Sequence, residues 1–367
     1  MRGSFFTILV VALLIATLGV VSIYSSTYQK QGKPWEDIYK RQILWLILGT
    51  VCFTLIANLH YRRLWDLTYI LYALVIFFLL LVLGLGLVRM GAQRWLKIAW
   101  FNFQPSEFAK LVIVVFLARY FSRKSASDTS ILTGKFGILR GIALPFVFVA
   151  VPALMIIEQP DLGSGMIIIL IFMTLLYLTG VKLRYIALFL ITLLLPLPFL
   201  WNLLHDYQKQ RLLVFVNPNI DPLGAGYTVI QSKIAIGSGW LFGKGWLSGT
   251  QSQLHFLPES HTDFIFATFA EEWGFLGSVV LLLLYFVIIR KGFVIAQRTN
   301  DFFGKLLASG IALMLSIQVC VNIAMNMGLA PVVGVPLPLM SYGGSSVLAT
   351  FIALGILVNI DKTRAVF

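Results

Sequence analysis

Ten apolar runs separated by polar intervals set the pattern of this 367-residue chain. They lie at roughly 4–24, 42–59, 67–87, 105–121, 140–157, 164–180, 184–203, 264–290, 305–326 and 343–360. Most approach the ~20 residues that an α-helix needs to cross the ~30 Å hydrocarbon layer of a bilayer. The pattern predicts an all-α polytopic membrane protein with about ten transmembrane helices, folded as one domain over residues 1–367. The run that follows Met1-Arg2 is too long for a cleaved signal segment and lacks a small-x-small end, so it reads as the first membrane helix.

One polar interval is much longer than the rest, at about 204–262. A loop of that length in a compact protein is usually functional. Within it, Gly226 to Ile236 alternates in a way that suits a short interfacial helix, and Gly237 to Trp246 is glycine-rich with tryptophans fit for a headgroup zone. Asn322, Asn326 and the run Pro331 to Ser346 form the last outer turn, whose prolines and glycines predict a rigid, re-entrant-like loop. Such backbone at membrane depth survives only when packed in protein or lining a cavity, so a cavity wall is expected there. The 122–139 interval reads as a solvated connector.

Composition supports the membrane reading. The chain is 59% hydrophobic and 12% charged, with mean hydropathy +0.90, against about 45–50% and about 25% in soluble domains. The net charge of +13 does not point to nucleic acid, because the basic residues sit in short loops between apolar runs. Placed with both termini inside, the inner segments hold 16 basic and 4 acidic residues and the outer segments 11 and 8. The positive-inside rule therefore predicts cytoplasmic termini and an external 204–262 loop. Cys52 and Cys320 lie within apolar runs and read as small buried hydrophobes.

Three acids then fall at helix starts on the outer face: Glu107, Asp161 and Asp263. An ionisable group at the membrane edge needs a partner or a function. Asp263 is either a helix cap or a general base whose enclosure raises its basicity. His261 precedes it by two residues and titrates near neutrality in its ordinary state. Gln104-Pro105-Ser106-Glu107 reads as a helix start, with Lys110 three residues on and able to pair with Glu107. Glu158 to Gly165 repeats that grammar around Asp161. The outer loop adds the cations Lys209, Arg211, Lys233 and Lys244. Gly243-Lys244-Gly245 could cradle a phosphate through its backbone, though it is not a Walker A motif. No metal-ligand spacing stands out.

Together these segments resemble the SEDS family of bacterial cell-wall polymerases, the group of RodA, FtsW and SpoVE. The matching residues are Arg94-Trp95 with Phe103 to Lys110; Gln159 to Gly163; Gln231-Ser232 through Gly245; Gly249-Thr250-Gln251; Leu257-Pro258-Glu259 with His261 to Ala267; Glu271-Glu272 with Gly274; and Pro331 to Ser346. They run in order from about residue 89 to 346. Pro331 to Pro338 resembles the elongation-type, RodA-like members, while Trp240 departs from the glycine usual in the family.

The resemblance implies a peptidoglycan glycosyltransferase that polymerises lipid II on the outer face of the bacterial cytoplasmic membrane, during elongation and rod-shape maintenance. It implies Asp263 as the essential aspartate. Glu107, Lys110, Asp161, Arg211, Lys244, His261, Gln104 and Ser341 are expected to support it or bind substrate. A divalent ion, Mg or Mn, is left open. The expected partners are a class B penicillin-binding protein with transpeptidase activity and other elongation-complex proteins, and no nucleic acid. Two other readings of the same acids are a lipid-linked precursor flippase, with a proton path, and a non-catalytic scaffold. Against the flippase, the acids cluster on one face and no inverted repeat is visible.

Overall fold

The computed structural model describes residues 2–29, 37–89, 92–98, 101–125, 137, 139–195 and 206–363. The protein is an all-α polytopic membrane protein. The first helices are α1 (Arg2–Thr27), α2 (Ile38–Ile56), α3 (Arg63–Leu85) and α4 (Pro105–Ser125). A π turn over Leu139–Ala143 leads into α5 (Leu144–Glu158), followed by α6 (Leu162–Leu178) and α7 (Leu183–Leu194). The long interval carries α8 (Asp206–Val216), α9 (Ala225–Ser238) and the short α10 (Thr250–Gln253). The chain closes with α11 (Ile265–Arg298), α12 (Phe302–Asn326) and α13 (Gly344–Thr363).

Each of the ten apolar runs carries a helix, because lipid offers backbone amides and carbonyls no partner and the helix satisfies them internally. Among the described residues, seven of these helices are long and apolar enough to cross a membrane: α1, α2, α3, α5 with its π turn, α11, α12 and α13. The α4 helix carries Glu107, Lys110, Arg119 and Arg123, and α6 and α7 are shorter. The end of the predicted 184–203 span, most of the 122–139 connector and the first residues of the 204–262 loop lie outside the described residues.

The central helices are α13 and α12, with 83% and 67% of their apolar windows buried, against 22% for the peripheral α3. Cys320 is exposed on α12 rather than buried as expected. An outward face of a membrane helix is as apolar as the interior, so an apolar run does not distinguish the two.

Two features were not anticipated. A three-stranded antiparallel sheet, β1 (Leu87–Arg89), β2 (Ala92–Ile98) and β3 (Phe101–Phe103), joins α3 to α4, with Leu96 opposite Phe103. And α11 is broken at Gly274, whose φ of 66° and ψ of −164° are far from helical. The Gly243 amide backbone packs into that break, and Phe275 N donates to Trp240 O at 2.7 Å. The break thus docks the glycine-rich stretch of the long interval. The Pro331–Ser346 segment is non-helical up to Gly344 and packs inside the protein: Val335, Leu337, Leu339 and Met340 are buried.

Candidate active site

Asp263 lies in the turn before α11. It does not cap that helix: the cap position is Phe264 and no side chain bonds it. Instead the Asp263 backbone carbonyl accepts from Asn322 Nδ2 and Asn326 Nδ2, both at 3.0 Å. Spaced four residues apart, these asparagines share one face of α12. Asn322 Nδ2 also donates to Val335 O at 2.7 Å, and Asn326 Oδ1 accepts from Ala267 N at 3.2 Å. Two side-chain amides therefore tie together the start of α11, the end of α12 and the Pro331–Ser346 turn.

Ser341 and His261 belong to the same clamp. Ser341 Oγ donates to Thr262 O at 2.6 Å and accepts from Leu337 N at 2.8 Å. Tyr342 N donates to His261 O at 3.0 Å, and the His261 side chain is buried. The backbone on both sides of Asp263 is fixed, yet among the described residues no hydrogen bond reaches its carboxylate. Enclosure pushes the Asp263 carboxyl up to about 6, and the nearby Glu259 carboxylate adds to the rise. The Arg94 and Arg211 guanidiniums pull it back down, and Asp161 pushes weakly upward.

Arg94 comes from β2. Its Nε donates to Gln159 O at 3.3 Å and its Nη2 to Pro160 O. The unpredicted sheet thus aims a cation at the same place as Asp263, with Gly334 between them.

Asp161 caps α6, accepting from Ser164 N at 3.2 Å. Its other oxygen accepts from Ser106 Oγ at 3.1 Å and Gln104 Nε2 at 3.4 Å, and Gln104 N donates to Ser345 Oγ at 3.0 Å. These bonds bring α4, α6 and α13 to one point. Glu107 and Lys110 form an ion pair at 2.7 Å with both side chains 2% exposed or less. Lys244 is placed elsewhere, on Glu271 Oε1 at 2.7 Å and Thr250 Oγ1 at 2.8 Å.

Arg211 lines a small, partly open pocket with Val214, Phe215, Val229, Pro331 and Val332. Lys233 lies against Gly328 on its rim. The pocket wall at Pro331–Val332 runs directly into Gly334, so the apolar pocket and the carboxylate share one segment of chain.

Sequence reasoning placed Asp263, Asp161, Gln104 and Ser341 at the site, and the structure brings them together. It left out Arg94 as a site residue, and it read Asn322, Asn326 and Gly334 only as parts of the last outer turn and its cavity wall, without linking them to Asp263. Two asparagines four apart in an apolar run are costly in lipid, and that cost was the available signal. No three His, Cys, Asp or Glu side chains among the described residues gather to hold a metal ion; the oxygens of Asp161 and the Glu107 carboxylate already have protein donors.

The chain is 42% identical over 359 residues to the peptidoglycan glycosyltransferase MrdB of Escherichia coli K12, covering 98% of this chain and 93% of that one. It is 36% identical to the stage V sporulation protein E of Bacillus subtilis, covering 97% and 96%. A solved structure described as a peptidoglycan synthase complex coordinating polymerization and crosslinking matches with a TM-score of 0.81 at 31% identity, over 98% of each chain. The cell cycle protein profile FTSW_RODA_SPOVE matches residues 5–365, and the chain accordingly belongs to the family of FtsW, RodA and SpoVE.

Proposed function

We propose that this protein is a peptidoglycan glycosyltransferase that polymerises lipid II on the outer face of the bacterial cytoplasmic membrane, with Asp263 as its general base. The observation that carries this reading is the Asp263 carboxylate itself. It is held by its backbone, reached by no hydrogen bond among the described residues, raised to about 6 by enclosure, and flanked by Arg94 and by the Arg211 pocket. A base that is ionised near neutral pH and still basic suits proton abstraction from a hydroxyl.

In this mechanism the acceptor sugar places its 4-hydroxyl against Asp263. The carboxylate takes the proton as the oxygen attacks the anomeric carbon of the donor. The bond to the polyprenyl diphosphate breaks and the electron pair leaves on the diphosphate oxygen. Donor α linkage becomes product β linkage by inversion. Arg211 stabilises the charge on the leaving diphosphate. Lys110 and Lys244, each already paired with a carboxylate, hold the scaffold around the site. Gln104 and Asp161 fix the start of α4 against α6, and Ser341 and His261 fix the turn that carries Asp263.

The excess of basic residues in alternate segments supports cytoplasmic termini and an outward site. The match to a complex that couples polymerization to crosslinking supports a class B penicillin-binding protein as partner.

The test is lipid II polymerisation by the purified protein with its transpeptidase partner, whose own active site is blocked. Wild type is expected to make glycan strands and Asp263→Ala none, at equal expression and melting behaviour. Strands from both would return Asp263 to a structural role.

A further inference from the structure

The break in α11 places two carboxylates side by side, Glu271 and Glu272, at 0% and 2% exposure. They are not served alike. Glu271 accepts from Lys244 Nζ, Thr250 Oγ1 and Gln251 N at 2.7–3.1 Å. Glu272 Oε1 accepts only the Ser25 hydroxyl among the described hydrogen bonds, with the Leu247 amide also turned towards the carboxylate. Glu272 Oε2 is buried with no hydrogen-bond partner among the described residues. Gln253 stands on the same hydroxyl. Its Nε2 donates to Ser25 O at 2.8 Å and Ser25 Oγ at 3.2 Å, and its own Oε1 is buried and unpartnered.

Every group left over here is an acceptor. Ser25 lies in the last turn of α1, where terminal carbonyls lack helical partners and the helix dipole is negative. Lys244 pairs with Glu271, and among the described residues no cation pairs with Glu272. A buried charge without a counter-charge costs several kcal/mol. In secondary transporters, helix C-terminal ends beside broken membrane helices coordinate alkali ions, and the same oxygen chemistry is present here. One carboxylate with neutral oxygens is the donor set of a hard cation rather than of zinc or iron.

We propose that Glu272, Ser25 and Gln253 form a site for a hard monovalent cation, sodium being the probe, which locks the end of α1 to α10 and to the break in α11. The site is separate from the Asp263 clamp and does not depend on the proposed reaction.

The experiment is thermal unfolding of the purified full-length protein in sodium, lithium, potassium or choline chloride at one ionic strength. Ligand that binds only the folded state raises Tm with its concentration. Sodium is expected to raise the wild-type Tm saturably above the choline value, and Glu272→Gln to abolish that increment. Gln253→Leu removes one oxygen and no charge, so it is expected to weaken sodium binding and shift the half-saturating concentration upward. It serves in place of Glu272→Gln should that variant not fold. The same Tm in all four salts would overturn the proposal, with water as the occupant. A Tm that follows pH but no cation would also overturn it, with a proton as the occupant. A sodium increment retained in both variants would place the ion elsewhere.

Discussion

Gly334 faces the Asp263 carboxylate so closely that a Cβ on it would lie 3.3 Å from Oδ2, and 3.5 Å from Arg94 Nη1. It also sits at φ +70°, where an L-residue costs about 1–2 kcal/mol. Both facts give Gly334→Ala one outcome. The methyl crowds the space between base and guanidinium that the acceptor hydroxyl must enter. Polymerisation is expected to fall at least about tenfold, equivalent to ~1.4 kcal/mol in the barrier, with membrane insertion intact. Turnover within about twofold of wild type would mean that substrate approaches Asp263 from another side.

The rate should follow the ionisation of Asp263. With the carboxyl raised to about 6, polymerisation rises with pH through that value and then levels, since only the ionised form accepts a proton. Arg211→Ala removes a downward pull, so the acid limb moves to higher pH; Glu259→Gln removes an upward push, so it moves lower. Initial rates across pH for the three proteins check this. An acid limb that stays put in both variants would assign the titration to another group.

Stability carries the opposite sign. The folded-state value of about 6 exceeds the ordinary 3.8, so the folded protein holds this proton more tightly than the unfolded chain does. The contribution of Asp263 is therefore lost as pH rises from about 4 through about 6, and at neutral pH the charged carboxylate costs roughly 1–3 kcal/mol. Asp263→Asn is expected to raise Tm at about pH 8 and to leave it nearly unchanged at about pH 4. A variant destabilised at both pH values would show the carboxylate to be a structural support.

The helices were legible because lipid enforces them: an apolar run has no other way to satisfy its backbone. The acids at helix starts were legible because charge is rare and costly there. What the sequence hid depends on chain reversals. Arg94 is an ordinary surface residue until three short strands carry it back to Gln159 and Pro160. Lys244 reads as a phosphate ligand until the break at Gly274 turns Glu271 towards it. Asn322 and Asn326 lie some sixty residues beyond Asp263 in the chain, and nothing local announces that pairing.

The Glu107–Lys110 pair separates a structural role from a catalytic one. At 2.7 Å and 2% exposure or less, removing one partner leaves the other charge buried alone, a loss of about 3–5 kcal/mol. Lys110→Met and Glu107→Gln are each expected to lower Tm and membrane yield sharply. The double variant leaves no lone charge and should recover most of that loss. Thermal unfolding of the four proteins forms a cycle whose interaction energy measures the pair. Polymerisation by the recovered double variant then decides the role of the ammonium. Activity near wild type means that Lys110 only balances Glu107. A folded but inactive protein means that the ammonium reaches the diphosphate during turnover, and the pair must then open when substrate binds.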